Sequence, residues 1–123
     1  MKQWLLVFLG GGIGSVLRHL IARHFNTYFS HFFLGTFIVN VLGSLLIGLI
    51  LGFSVKGQYL SENQTLLLAA GFCGGFTTFS TFAFEKHALL TAGELFHFSF
   101  YLIASIVVGI AAVAGGLWLA KLF

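Results

Sequence analysis

Two groups of residues in this chain could do chemistry, and both are polar islands in apolar surroundings. The first is Gly71-Phe72-Cys73-Gly74-Gly75-Phe76-Thr77-Thr78-Phe79-Ser80-Thr81-Phe82, which sets a glycine pair and a run of hydroxyls inside a segment apolar enough to lie in a bilayer. A helix is expected to break there, with the consecutive glycines 74 and 75 letting the backbone leave helical geometry. In hydrocarbon, backbone released from helical hydrogen bonds survives only where protein buries it or it lines a wet cavity, so such a break marks an ion or substrate site. The second group centres on Asn40, with Thr36 one turn before it and Gly43 and Ser44 one turn after, all on one helical face. A side-chain amide donates two hydrogen bonds without carrying charge, which suits a small anion that a fixed cation would hold too tightly to release. The same amide could equally glue two helices together.

Phenylalanines accompany the hydroxyls. Among the 16 in the chain, Phe76, Phe79 and Phe82 fall three apart, on one face of the half-helix that follows the break. The edge of a phenyl ring carries partial positive charge, so rings turned edge-on to a pathway can contact a partly dehydrated anion. Alone, such a stripe reads as packing. Its place directly after a hydroxyl-rich break is what gives it a functional reading.

The elements that must position these residues follow from composition. With 123 residues, 59% hydrophobic, 7% charged and no proline, the chain reads as an all-α integral membrane protein without room for a soluble domain. A span takes about 20 mostly apolar residues. Polar punctuation at Asn26 with Ser30, at Lys56 to Gly57 with Ser61 to Asn63, and at Gly93 to Glu94 marks off four helices, roughly 3–24, 31–53, 63–92 and 95–121, the third broken mid-membrane. Residues 1–123 thus form a single four-helix transmembrane domain. Met1-Lys2-Gln3-Trp4-Leu5-Leu6 could open a signal peptide, but Arg18, Arg23 and His24 close that segment as the polar flank of a retained helix does.

Four spans put both termini and the second loop on one side, with Lys2, Lys56 and Lys121; Arg18, Arg23 and Lys86 lie toward the other. Three against three leaves the positive-inside rule without a clear orientation. A chain that inserts both ways can form an antiparallel homodimer about a two-fold axis in the membrane plane, and four thin helices enclose a polar pathway poorly on their own. Small residues four apart offer packing surfaces: Gly10 and Gly14 in the first helix, Ser44, Gly48 and Gly52 in the second, Ser105 and Gly109 in the fourth.

Several function classes fall away. The triple glycine at 10–12 is no phosphate loop, since no strand precedes it and no Lys-Ser or Lys-Thr pair follows. The lone Cys73 excludes an internal disulfide and reads as a small packing residue. His19, His24, His31, His87 and His97 lie near predicted helix ends without metal-site spacing. An enzyme would need a nucleophile with a base or a metal cluster, and neither assembles; no nucleic-acid partner is expected. The alternative function is a small dual-topology proton-coupled multidrug exporter, which needs a membrane-embedded carboxylate. Glu62, Glu85 and Glu94 all fall near predicted helix ends.

Gly35-Thr36-Phe37-Ile38-Val39-Asn40-Val41-Leu42-Gly43 and the run from Gly71 to Phe82 resemble the two signature motifs of the Fluc (CrcB-type) fluoride channels. Gly11-Gly12-Ile13-Gly14-Ser15-Val16-Leu17-Arg18 resembles that family's first-helix motif, and the likeness runs through the whole chain in length, span number and motif order. The resemblance implies a fluoride-selective passive channel in the cell membrane, the bacterial inner membrane, which exports fluoride and protects against its toxicity. It also implies a dual-topology antiparallel homodimer with two pores. A structural sodium ion (Na+) is implied at the dimer centre, held by the backbone carbonyls of Gly74 and Thr77; unwound backbone presents its carbonyls outward, and sodium is a hard cation satisfied by oxygen. By motif position the resemblance makes Phe79 and Phe82 pore-lining rings and Asn40 the pore asparagine. Thr36, Ser80 and Thr81 become hydroxyls along the pathway, joined from the fourth helix by Tyr101 and Ser105. Gly109 stands where a further hydroxyl would be expected. Arg18 and Glu85 also match family positions. Arg18 either draws anions toward a vestibule or anchors its helix in the interface, and Glu85 is an interfacial or structural partner.

Overall fold

The computed structural model of the chain describes residues 2–57 and 59–123. Four helices long and apolar enough to cross a membrane run through it: α1 Gln3–Phe25, α2 Leu34–Val55, a composite third span Glu62–Thr91, and α6 Leu95–Lys121. The third span consists of α3 Glu62–Thr65, a π-helical stretch Leu66–Cys73, α4 Gly74–Phe76 and α5 Phe79–Thr91. Polar punctuation places these ends well except at α2, which starts at Leu34 and not near 31. Asn26, just past the end of α1, explains the shift. Its Oδ1 accepts the N–H groups of Gly35 and Thr36 at 2.7 and 3.1 Å, so a side chain from the preceding loop satisfies two of the unpaired donors of the new helix.

The break lies three residues later than the glycine pair suggests. Gly74 is helical, with φ −62° and ψ −37°, and Gly75 belongs to α4. Helical geometry ends at Thr77 (φ −86°, ψ 159°) and Thr78 (φ −149°, ψ 122°), two β-branched residues for which extended backbone is comfortable. The helix before the break is π-helical over eight residues, which no pattern in the sequence signals. Its longer i→i+5 ladder is a rare form that is frequently found at functional sites.

Most glycines serve close helix contact instead. A Cβ added to Gly10 would run into the backbone of Leu67 and Phe72, one added to Gly14 into Phe72 and Phe76, and one added to Gly75 into Gly11. Backbone therefore lies on backbone where α1 crosses the third span, as small residues permit. Gly48 of α2 meets Val113 and Gly116 of α6 in the same way. The packing face of α6 is thus Gly116 and its neighbours; a Cβ on Gly109 would find only Ser44 Oγ, at 3.9 Å. The outward faces of α1 and α6 carry large exposed apolar side chains, among them Phe8, Ile13, Ile103 and Ile110, the surface a bilayer or a second chain would cover.

Candidate anion site at the third-span break

Where the third span breaks, its freed carbonyls and N–H groups find new partners one by one. The Cys73 carbonyl accepts from both the N–H of Thr77 at 3.0 Å and its hydroxyl at 2.9 Å. The Gly75 carbonyl accepts from Arg18 Nε at 2.9 Å and from Ser15 Oγ at 3.4 Å. Arg18 therefore reaches inward from α1 and fastens that helix to the break, a role charge and position in sequence gave no means to see. Beyond the break, Thr78 Oγ1 accepts the Thr81 N–H at 3.2 Å and caps α5, as threonine does at a helix start.

Asn40 holds the two halves in register. Its Oδ1 accepts the Thr78 N–H at 2.8 Å and its Nδ2 donates to the Thr78 carbonyl at 3.1 Å. One of its two amide hydrogens is thus engaged and the other remains available. In a continuous helix the Thr78 N–H would have bonded the Gly74 carbonyl. Diverting it to Asn40 deprives that carbonyl of its helical donor, at a glycine exposed on the protomer surface.

Beside the break lies a cavity of about 760 Å³, lined among others by Asn40, Ser44, Thr77, Phe79, Phe82 and Ser105. It is open on one side, where Phe79 is 80% exposed. The rings of Phe79 and Phe82 have centroids 6.2 Å apart, and Phe82 meets Tyr101 edge-on at 5.2 Å. Among the described residues, Ser105 Oγ is the buried side-chain polar atom that has no hydrogen-bond partner. A buried hydroxyl without a partner is costly unless something occupies the space it faces.

The remaining sequence-predicted residues gather elsewhere. Thr36 and Tyr101 are both fully buried and donate to the two oxygens of Glu85, Thr36 Oγ1 to Oε1 at 2.5 Å and Tyr101 Oη to Oε2 at 2.8 Å. They sit behind the cavity wall, joined to Asn26, whose Nδ2 donates to Thr36 Oγ1 at 3.3 Å. Glu85 accordingly lies in mid-α5, 4% exposed, and not near a helix end as its sequence position suggested. A buried carboxylate needs donors on both oxygens, and α2 and α6 each supply one. Ser80 is exposed and Thr81 half-buried, and neither borders the cavity. Sequence reasoning assigned no role to Lys86 beyond a flanking charge. Its side chain is 6% exposed and borders the cavity, so Lys86, like the inward-reaching Arg18, is not a free flanking charge.

The family model for CrcB-like protein, Camphor Resistance (CrcB), matches residues 5–117. The chain belongs to this family. Its CrcB-like relatives are similar along their whole length. A "Fluoride-specific ion channel FluC" of Azobacteroides pseudotrichonymphae genomovar. CFP2 is 43% identical over 124 residues, covering 100% of this chain and 99% of the relative. A protein of the same name from Prosthecochloris aestuarii (strain DSM 271 / SK 413) is 46% identical, covering 97% and 93%. Another, from Bacteroides fragilis (strain YCH46), is 45% identical, covering 100% and 99%. With four spans, this CrcB-like chain is a multi-pass membrane protein of a channel family, not an enzyme.

Proposed function

We propose that this chain is a fluoride-specific ion channel, through which fluoride leaves the cytoplasm passively. The observation that carries this reading is the convergence, beside one helix break, of the spare Asn40 amide hydrogen, the Phe79 and Phe82 rings and the partnerless Ser105 hydroxyl. All are donors or partial positive charges without a full charge. Donors of that kind can replace the hydration of a small anion and still let it go. The names of the relatives point to fluoride as that anion. Hydrofluoric acid is weak, crosses membranes neutral and releases fluoride in a near-neutral cytoplasm, where the anion is trapped. A membrane potential negative inside then drives it out through a passive pore, with no coupling machinery.

In this reading two protomers pair antiparallel and form two pores. Support comes from the open side of the cavity, where Phe79 and Gly74 are exposed on the protomer surface and a second copy would complete the wall. A structural sodium ion at the two-fold axis would be held by the Gly74 and Thr77 carbonyls of both copies, where it would neutralise converging oxygen dipoles. The Gly74 carbonyl, stripped of its helical donor, fits such a role. Fluoride flux should then persist when bulk sodium is replaced, provided the bound ion is retained.

Glu85 gives the proton-coupled exporter its one supporting observation, a carboxylate buried within a span. Both its oxygens are held by donated hydroxyls, however, which favours a fixed acceptor over a proton carrier. Fluoride efflux from vesicles under a potassium-set potential tests the channel reading. Efflux that follows the voltage and ignores an imposed proton gradient is expected; efflux that needs the proton gradient contradicts it.

A further inference from the structure

Among the described residues, Lys86 is a buried cation that no carboxylate pairs with. Its Nζ donates to the Phe98 carbonyl at 2.8 Å and lies over three aromatic rings, 4.1 Å from the centroid of Tyr101, 5.0 Å from Phe98 and 5.8 Å from Phe82. Ring faces attract an ammonium, and this geometry is favourable only for the charged form. No carboxylate approaches within 4.0 Å among the described residues. An ammonium has three N–H donors, of which the Phe98 carbonyl takes one. The group is thus a desolvated cation at the wall of the cavity that also contains Asn40, Phe82 and Ser105.

Glu85, the preceding residue, does not pair with it. Successive helix positions point about 100° apart, so Glu85 faces Thr36 and Tyr101 while Lys86 faces the cavity. Tyr101 stands between them, donating its hydroxyl to Glu85 and presenting its ring to Lys86. The carboxylate forms no ion pair with the ammonium but still acts on it through space. That resolves the difficulty a lone fixed charge poses for release: opposite charges on adjacent residues act as a dipole, whose attraction falls off faster than that of a single ion.

We propose that Lys86 is a cationic station in the anion pathway, which holds a small permeating anion as its counterion at the α5–α6 end of the cavity. This rests on the channel reading above and adds a residue and a function to it. An intramembrane ionisable group facing a cavity marks an ion path by default, and here the missing counterion is the anion itself. The station supplies affinity, and the uncharged donors around Asn40 supply passage.

The test is the fluoride dependence of efflux from liposomes containing the wild type, Lys86→Gln or Lys86→Arg. Gln retains a donor for the Phe98 carbonyl without the charge, whereas Arg keeps the charge and changes the shape. We expect Lys86→Gln to raise the half-saturating fluoride concentration roughly tenfold, about 1.4 kcal/mol, with flux at saturating fluoride retained. Lys86→Arg should stay within about threefold of wild type. A wild-type fluoride dependence in Lys86→Gln, or an equal rise in both variants, overturns the station, because charge then plays no part. Loss of flux at every concentration in Lys86→Gln, with Lys86→Arg normal and the Gln protein still eluting as the wild-type species, also overturns it, since the charge would then be needed for passage and not for affinity. If Lys86→Gln misfolds, Lys86→Met, an uncharged side chain of similar length, takes its place: a wild-type fluoride dependence in that variant removes the anion station. Absence of fluoride flux from the wild type itself brings down the channel reading, and the station falls with it.

Discussion

Gly74 and Gly75 are neighbours of the same type, yet the structure gives them opposite sensitivities. A Cβ on Gly75 would overlap the Gly11 carbonyl and approach the Gly11 Cα and carbonyl carbon to 2.9 Å, whereas one on Gly74 meets nothing within 4 Å. Because the obstruction is backbone, no rotamer change relieves it, and α1 must move off the third span. Overpacking of that kind costs about 3 kcal/mol at its upper range, and alanine regains about 1 kcal/mol over glycine in a helix. Gly75→Ala should therefore lose about 2 kcal/mol, roughly a 30-fold shift in the folding equilibrium. Gly74→Ala should leave the protomer unchanged or more stable by up to about 1 kcal/mol. Equilibrium unfolding in mixed micelles, followed by circular dichroism, measures both. Wild-type stability in Gly75→Ala would refute the backbone-on-backbone packing. A stable Gly74→Ala protomer with a reduced dimer fraction would place that glycine against a second copy.

Other substitutions separate pathway from scaffold. Phe79→Ile and Phe82→Ile keep apolar bulk without the positive ring edge, so fluoride flux should fall strongly with the proposed dimer intact; unchanged flux in both reduces these rings to packing. Asn40→Asp keeps the acceptor for the Thr78 N–H but sets a carboxylate against the Thr78 carbonyl and repels an anion at close range. Flux should vanish, and wild-type flux would place Asn40 off the path. Tyr101→Phe removes one of the two donors to Glu85, which should cost about 1–3 kcal/mol of stability for a buried acceptor left short, read by the same unfolding assay. A reporter fused after Phe123 should appear on both sides of the membrane at normal expression, and extra lysines beside Lys121 should bias it; a single location counts against the antiparallel dimer.

Much of the fold was legible because the signals that set it are local. Runs of apolar residues between charged and amide punctuation give the spans, and a broken third span follows from polar residues in an apolar run. The details that escaped depend on partners distant in sequence. Gly74-Gly75 looked like the break because glycine permits one, but Gly75 is small to admit Gly11, and the threonines after it take the extended geometry. Glu85 looked terminal because charges usually end spans. Its burial depends on hydroxyls 49 residues before it and 16 after, a pairing that no local pattern reports. Lys86 was hidden for the same reason: a lysine near a helix end is ordinarily interfacial, and only α6 folding back over α5 encloses it in aromatic rings.

In the proposed channel the groups gathered at the break pass fluoride and little else. Purified protein in liposomes loaded with equal fluoride and chloride, with one potential imposed by a potassium ionophore and both anions followed by ion-selective electrodes, addresses this directly. Rapid fluoride efflux with chloride retained is expected. Equal efflux of both anions, or of neither, contradicts it.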